Sequence, residues 1–372
     1  MQLEHLITAV ATNRRRDDPS KVERRARKEF VTKVLNELIP MAIYGDHRYA
    51  QEYGIISRAY RGTGSFSSGY FDVQVPLTLP NGAELRYEKL SNLPDVHIAI
   101  TGASRTSWSS MSDGVNLSGR KVRQDLHARL QAAAQKYSAQ RGGFIDIRVL
   151  PLQINHPISI EIEPKDRWAI LINMTPVVFA SDGLGGIGTI KQMIVTNVSN
   201  AWPADEKSRQ QMADQLLFLP HDTAKWHLSL MLGHKMIIRF LKSDDSCRDL
   251  VYRALKTLGK RHWVHETTND QELMKFILTC IQQTFLAELS KNPHSHQWAK
   301  QSLKQRFHDT VLELRNRLGH GELFEYMLPG SKNLIGQYKQ GAYMIPKIAP
   351  VMKRIEHTIK NPEEVLMEVL QK

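Results

Sequence analysis

The stretch YFDVQVPLTL, from Tyr70 to Leu79, limits what this chain can fold into more than any other. Phe71, Val73, Val75, Leu77 and Leu79 alternate with Tyr70, Asp72, Gln74 and Thr78, the period-two pattern of a half-buried strand. A sheet with one apolar face follows. Asp72 is the oddity in it. A carboxylate beside a glycine and serine turn, at the head of a buried strand, suits holding a divalent cation against a phosphate, because magnesium prefers carboxylate and phosphate oxygens. A solvated edge residue is the plainer reading of the same position.

The rest of the pattern predicts a mixed fold. The first thirteen residues read as a short helix or an arm. From Pro19 a long helix carries Val22, Phe30, Val31, Val34, Leu35 and Leu38 at helical spacing and ends before Pro40. Asn81-Gly82 marks a hairpin turn with Leu85 and Tyr87 on its return strand, and VHIAI (Val96 to Ile100) reads as another strand. The polar loop that follows presents Trp108 as exposed or semi-exposed, an anchor for a partner unless it folds back on the sheet. A helix runs from about Ser118 to Tyr137, with Val122, Leu126, Leu130 and Ala133 on one face. FIDIRVL, HPISIEIE and WAILINMTPVVFA (Trp168 to Ala180) complete the sheet.

Gly183 to Gly188, GLGGIG, formally fits a dinucleotide fingerprint, but no apolar helix is expected after it, so it reads as a connection. Ser181 to Asp205, ending in Trp202-Pro203, is the expected link between lobes, and the remainder is expected to be helical. Ser246 caps a helix through Gly259. A second starts at Thr268 or Asn269 and buries Leu273, Phe276, Ile277, Cys280, Ile281 and Phe285; Asn361-Pro362-Glu363-Glu364 opens the last. The fold class is therefore α+β. Residues 1–205 form a mixed-sheet lobe with a long bracing helix, and residues 206–372 a helical lobe.

Only Cys247 and Cys280 are present, far apart, which supports neither a disulfide framework nor a thiolate zinc site. His262 and His265 lack a further pair of ligands, so no metal site is expected. No run of 18 apolar residues exists, so the chain reads as soluble and cytoplasmic, or as standing on the cytosolic face of mitochondria if a native anchor was removed. The net charge of +12 favours phosphate-rich or acidic partners. Its basic runs, Arg14 to Arg16, Lys21 to Lys28, Arg120 to Arg129 and Lys256 to Arg261, read either as solvated faces or as surfaces for double-stranded nucleic acid or acidic membrane.

The Gly- and Ser-containing turn, the FDV strand and the VPL continuation resemble the start of the nucleotidyltransferase domain shared by Mab-21 proteins, cyclic GMP-AMP synthase and its animal relatives, and the mitochondrial dynamics proteins. Gly114 to Val122 resembles the family's Gly-x-Leu-Ser-x-x-Lys-Val element. The resemblance covers most of the chain from about Arg24 onward and implies a bilobal nucleotidyltransferase fold. Active members carry a Gly-Ser pair, then two acids flanking one residue, then a third acid on a later strand. Aligned without gaps, the pair falls on Ser57 and Arg58, the first acid on Tyr70, the second on Asp72 and the third on Asn173; another register takes Gly64 and Ser65 as the pair. Trp226-His227-Leu228-Ser229 resembles a Trp-Arg-Leu-Ser element whose arginine and serine face the nucleotide. Arg253 matches a basic position near the phosphates, and the base-stacking tyrosine falls on Asp270.

One surviving acid cannot hold two metal ions that clamp the attacking and leaving oxygens. The resemblance thus implies a catalytically degenerate nucleotidyltransferase fold, with Asp72 the surviving catalytic acid and Ser57, Arg58, Tyr70, Asn173, His227, Ser229 and Arg253 as ligand-binding positions. Missing acids, the missing zinc thumb and the VPLTL match tilt it toward the mitochondrial dynamics proteins, membrane-anchored adaptors that recruit a fission dynamin. A protein partner is expected, with a nucleotide as the implied ligand. The alternative is an active sensor of double-stranded nucleic acid that makes a cyclic dinucleotide with Mg2+ or Mn2+, using Asp72, Glu161 and one further acid. Glu161, in ISIEIE, otherwise alternates with Ile160 and Ile162 as a solvent-facing residue.

Overall fold

The computed structural model describes residues 2–12, 19–50, 54–58, 70–87, 95–142, 144–154, 156–165, 169–180, 183–197, 205–264, 271–328, 333–335 and 345–371. Gly64, Ser65, Trp168, Trp202, Pro203, His265, Thr268, Asn269 and Asp270 lie outside them. The chain opens with helices α1 (Leu3–Thr12) and α2 (Pro19–Ile43) and strands β1 (Gly54–Arg58), β2 (Tyr70–Pro76), β3 (Glu84–Arg86) and β4 (Asp95–Ala99). Two short strands, β5 (Ser112–Asp113) and β6 (Asn116–Leu117), precede helix α3 (Gly119–Gln140). Then come β7 (Ile145–Val149), β8 (Ile158–Pro164), β9 (Ile170–Phe179), α4 (Ile187–Asn197) and α5 (Glu206–Ala213). Strands β10 (Leu217–Pro220) and β11 (Trp226–Ser229) lead into α6 (Met231–Leu241), α7 (Arg248–Leu258), α8 (Gln271–Lys291), α9 (Leu303–His320), α10 (Ile345–Lys360) and α11 (Pro362–Gln371).

These elements sort into two units, neither of them continuous in sequence. One comprises residues 16–190 and 215–230, the other residues 1–15, 191–214 and 231–372. The first holds the sheet. Its centre is the parallel pair β2–β9, in register from Tyr70 opposite Leu171 to Pro76 opposite Val177. Strand β1 runs antiparallel on the far side of β2. Beyond β9 the sheet divides: β8 pairs with residues 170–174 and carries β7, while β10 pairs with Val178 and Phe179 and continues through β11 to β4.

Alternation explains which face is dry. Phe71, Val73 and Val75 of β2, Ile170, Ile172 and Met174 of β9, and Ile158, Ile160 and Ile162 of β8 are all buried. Helix α3 lies against β7, β9 and β10, with α2 alongside it. The start of α3 is capped by the Ser118 hydroxyl, which accepts from Lys121 N at 3.4 Å. Gly119 beside it is obligatory on steric grounds, since a Cβ there would come 2.6 Å from His221 O and 2.8 Å from His221 N. A polar clamp fastens the turn after α2 to α3: Arg129 reaches Asp46 at 2.7 Å and Asp125 at 2.6 Å, while Tyr49 donates to Asp125 at 2.9 Å.

Four expectations are corrected here. Helix α2 continues through Pro40 to Ile43, because the ring sits in the last turn, where Leu38, Ile39, Ala42 and Ile43 are all buried. Trp108 is 1% exposed rather than displayed. Its serine-rich loop spends its hydroxyls on its own backbone, Ser107 on Ser104 O and Ser109 on Thr106 O, each at 2.8 Å, and so coils into tight turns around the indole. Residues 217–220 and 226–229 are strands, which the expectation of an all-helical remainder passed over. An apolar helix does follow GLGGIG, since α4 buries Ile187, Ile190 and Ile194; the loop is nevertheless no phosphate cradle, because Gly185 N donates to Ala83 O at 2.9 Å.

In the second unit, α1 buries Leu3, Leu6, Ile7 and Val10 and packs on α7 and α11, which settles the choice between helix and arm. Ser246 serves the start of α7 from one residue before its cap, its hydroxyl accepting from Arg248 N at 3.2 Å. Trp298 is stacked against Arg248 and Arg306 and meets Phe285 edge-on. A π-helical turn, Gly259–Trp263, follows α7, and Arg354 of α10 caps it by donating to the carbonyls of His262 and Trp263 at 3.1 Å each. Among the described residues no helix is long and apolar enough to cross a membrane.

The same unit holds a buried ionic knot. His234 Nε2 lies 2.7 Å from Glu325 Oε1, and Gln283 Nε2 donates to both carboxylate oxygens at 3.1 Å while its carbonyl accepts from Tyr326 N at 2.9 Å. Burial alone would raise the Glu325 carboxyl, but the His234 charge and the donors around it hold it below the ordinary carboxylate range. A lowered folded-state pKa adds stability above the unfolded value, and that stability is lost as pH falls through the folded one. Glu325→Gln should lower the chemical-denaturation midpoint at neutral pH, by about 3 kcal/mol of stability. The deficit relative to wild type should shrink as the pH drops below about 4.3; a deficit independent of pH would refute this account.

Candidate functional site

The register of β2, β9 and β8 builds one polar row across the otherwise apolar centre of the sheet. Asp72 stands opposite Asn173, and Asn173 opposite Ser159. All three are half-buried and share the face that α3 does not cover. The Asn173 amide donates from Nδ2 to Asp72 Oδ1 at 3.3 Å, and its carbonyl oxygen accepts from the Ser159 hydroxyl at 3.3 Å. Two positions separated by a hundred residues in sequence are thus adjacent in space. Ser159 was not foreseen from the sequence, although its place in the alternation of ISIEIE put it on this face.

The direction of these bonds determines what the row can hold. An amide offers a cation only its oxygen. Here that oxygen is turned to Ser159, and the end facing Asp72 is an NH2 group with positive hydrogens. A divalent ion beside Asp72 would therefore meet a donor where it needs an acceptor. Glu161 does not supply the missing charge: it stands opposite Leu171, separated from Asp72 by two strand spacings and two residues along the strand, about 12 Å between Cα atoms. Arg148 engages it at 3.3 Å, together with Glu163 at 2.5 Å. The described residues of this row do not fit a two-metal centre. Among the described residues no group of three His, Cys, Asp or Glu side chains is placed to hold a metal ion.

The other expected positions fall as follows. Tyr70 opens β2, opposite Leu171 on one side and Arg58 on the other; Ser57 stands opposite Phe71. Gapless alignment thus brings Arg58 to the strand beside the row. His227 and Ser229 lie on β11, opposite Leu219 and Leu217 of β10, and Leu217 is opposite Phe179 of β9. Counting alternation along β9 from Asn173 to Phe179, and across to β11, places His227 and Ser229 on the same face as Asp72. Both are half-buried, whereas the alternating Trp226 and Leu228 are buried, Trp226 donating to Leu117 O at 2.8 Å. Arg253 belongs to the helical unit, on α7, where it pairs with Asp249 at 2.8 Å.

Residues 247–344, from the cap of α7 through α8 and α9, match the family model described as the Mab-21 protein HhH/H2TH-like domain. That match supports membership of the Mab-21 and cyclic GMP-AMP synthase-like nucleotidyltransferase family. No curated protein matches it significantly in sequence. The mixed α+β architecture is consistent with a nucleotidyltransferase-like fold, and the polar row lies on strands outside the matched span. Helices α8 and α9 inside it are held by Lys291, which bridges Glu288 and Glu313 at 3.0 Å each.

Replacing the amide tests the geometry of the row. Asn173→Asp would set two carboxylates side by side, disfavouring ionisation of both in the absence of a cation. The variant should unfold at lower temperature than wild type in chelator and recover on adding Mn2+, by about 2.7 kcal/mol at roughly 100 times the dissociation constant. Equal Mn2+ responses in wild type and variant would show that the row is not arranged as described.

Proposed function

We propose that this protein is a catalytically degenerate nucleotidyltransferase fold that holds a nucleotide without turning it over and serves as a partner-recruiting adaptor. The observation that carries the reading is the Asn173 amide hydrogen-bonded to Asp72 at 3.3 Å, in the place where the resemblance puts a third metal-binding acid. In-line nucleotidyl transfer depends on two cations to neutralise the triphosphate and activate the attacking oxygen. With Tyr70, Asp72 and Asn173 at the three positions, a single negative charge remains, too few ligands for chemistry routed through paired metals.

Phosphate binding does not need that metal pair. Arg58, at the register position beside Tyr70, carries a permanent positive charge where the resemblance has the serine of the Gly-Ser pair. Ser159 and Asn173 add neutral hydrogen-bonding groups, with His227 and Ser229 further along the same face. The basic balance of the chain, +12, draws anionic ligands and partners toward it. A protein partner, rather than a chemical product, is then the output.

Purified protein incubated with ATP, GTP, Mg2+ or Mn2+ and double-stranded RNA or DNA should yield no cyclic or linear dinucleotide, while ATP raises its melting temperature in chelator as well as in Mg2+. Arg58→Ala should weaken that ATP response about tenfold, the scale of one charge-assisted contact. Metal-dependent turnover that disappears in Asp72→Ala would instead establish the active-sensor reading.

A further inference from the structure

Among the described residues β7 pairs with β8 alone, so the far side of its backbone is a sheet edge. The ladder shows which groups line that edge. Leu150 N donates to Ser159 O at 2.8 Å and Lys165 N to Phe144 O at 3.1 Å, so the even-numbered residues of this stretch bond to β8 and Ile145, Ile147 and Val149 turn their amides outward. Ile147 N accordingly donates to the Ser138 hydroxyl of α3, at 3.2 Å. No proline interrupts residues 144–150, and Phe144 at their start is 68% exposed. Such an edge is a template for a further strand.

We propose that β7 is a self-association edge, where two copies of this chain pair β7 with β7, antiparallel about a two-fold axis at Ile147. The sequence around that axis is complementary to its own reverse. Pairing there sets Asp146 opposite Arg148 of the second copy, Ile145 opposite Val149 and Phe144 opposite Leu150, each twice by symmetry. Within one chain Asp146 stands across from Glu163, a like-charge pair, and shares Arg148, at 3.5 Å, with Glu161 and Glu163. The second copy brings a guanidinium to the open side of Asp146, and opposite charges stabilise a cross-strand pair where like charges weaken it. Moving the register by two residues either way sets Asp146 against itself or Arg148 against itself, so charge also selects the alignment. The carbonyl of Ile147 in the second copy takes the place of the Ser138 hydroxyl, and the contact, being isologous, closes at two copies.

Sedimentation equilibrium of the full chain over a range of concentrations tests this. Wild type should rise toward twice the mass of one chain. Asp146→Arg and Arg148→Asp each turn both ion pairs into like-charge pairs and should weaken association roughly tenfold, whereas the two substitutions together restore opposite charges and should recover it. Val149→Pro removes only an outward amide, so it should keep the wild-type melting temperature and lose association. The proposal is overturned if wild type stays at the mass of one chain at every concentration, if folded single swaps or Val149→Pro associate as wild type does, or if a folded double swap is as weak as the singles.

Discussion

The parallel pairing of β2 with β9 is the constraint on which the candidate site depends. Parallel strands need buried, continuous apolar faces and a long crossover between them, and this pair has both: seven consecutive register positions, with nearly a hundred residues between the strands. A slip of one residue would carry Asp72 to the apolar face and Phe71 into the open. The alternation that buries Phe71, Val73 and Val75 against Ile172 and Met174 is therefore what holds Asp72 beside Asn173. The site geometry is a by-product of core packing.

Much of this was legible in the sequence where apolar periodicity ran without competition. β2, β8, β9, α3 and the buried residues of α8 lie where the alternation and the helical spacing of their apolar residues put them. The misreadings share a cause. Trp108 and Pro40 were judged by local rules, serine-rich loop and helix breaker, while tertiary burial overrode both. β10 and β11, four residues each, are too short to show a period, and only the resemblance of WHLS to a family element marked the second of them.

For the site, residue identity and strand register were readable separately and their conjunction was not. Asp72 and Asn173 were each singled out, and the register then made them neighbours. Ser159 escaped notice for a different reason: a serine in an alternating strand has nothing unusual in one dimension. Its meaning arises from the face it shares with Asn173 and Asp72, and that is fixed only once β2, β8 and β9 are aligned. The ionic knot of His234, Gln283 and Glu325 was equally invisible, being assembled from three distant elements with no common motif.

The packing of α1 against α7 and α11 bears on how this chain is made. A ribosome delivers the N-terminal helix first, yet the surface that covers Leu6, Ile7 and Val10 emerges only with the last third of the polypeptide. Until then the sheet unit can mature while the amphipathic leader stays uncovered, an apolar handle available to whatever chaperone attends the nascent chain. Closing so large a loop adds little entropy beyond a medium one, so the late docking is timed mainly by the emergence of α7 and α11.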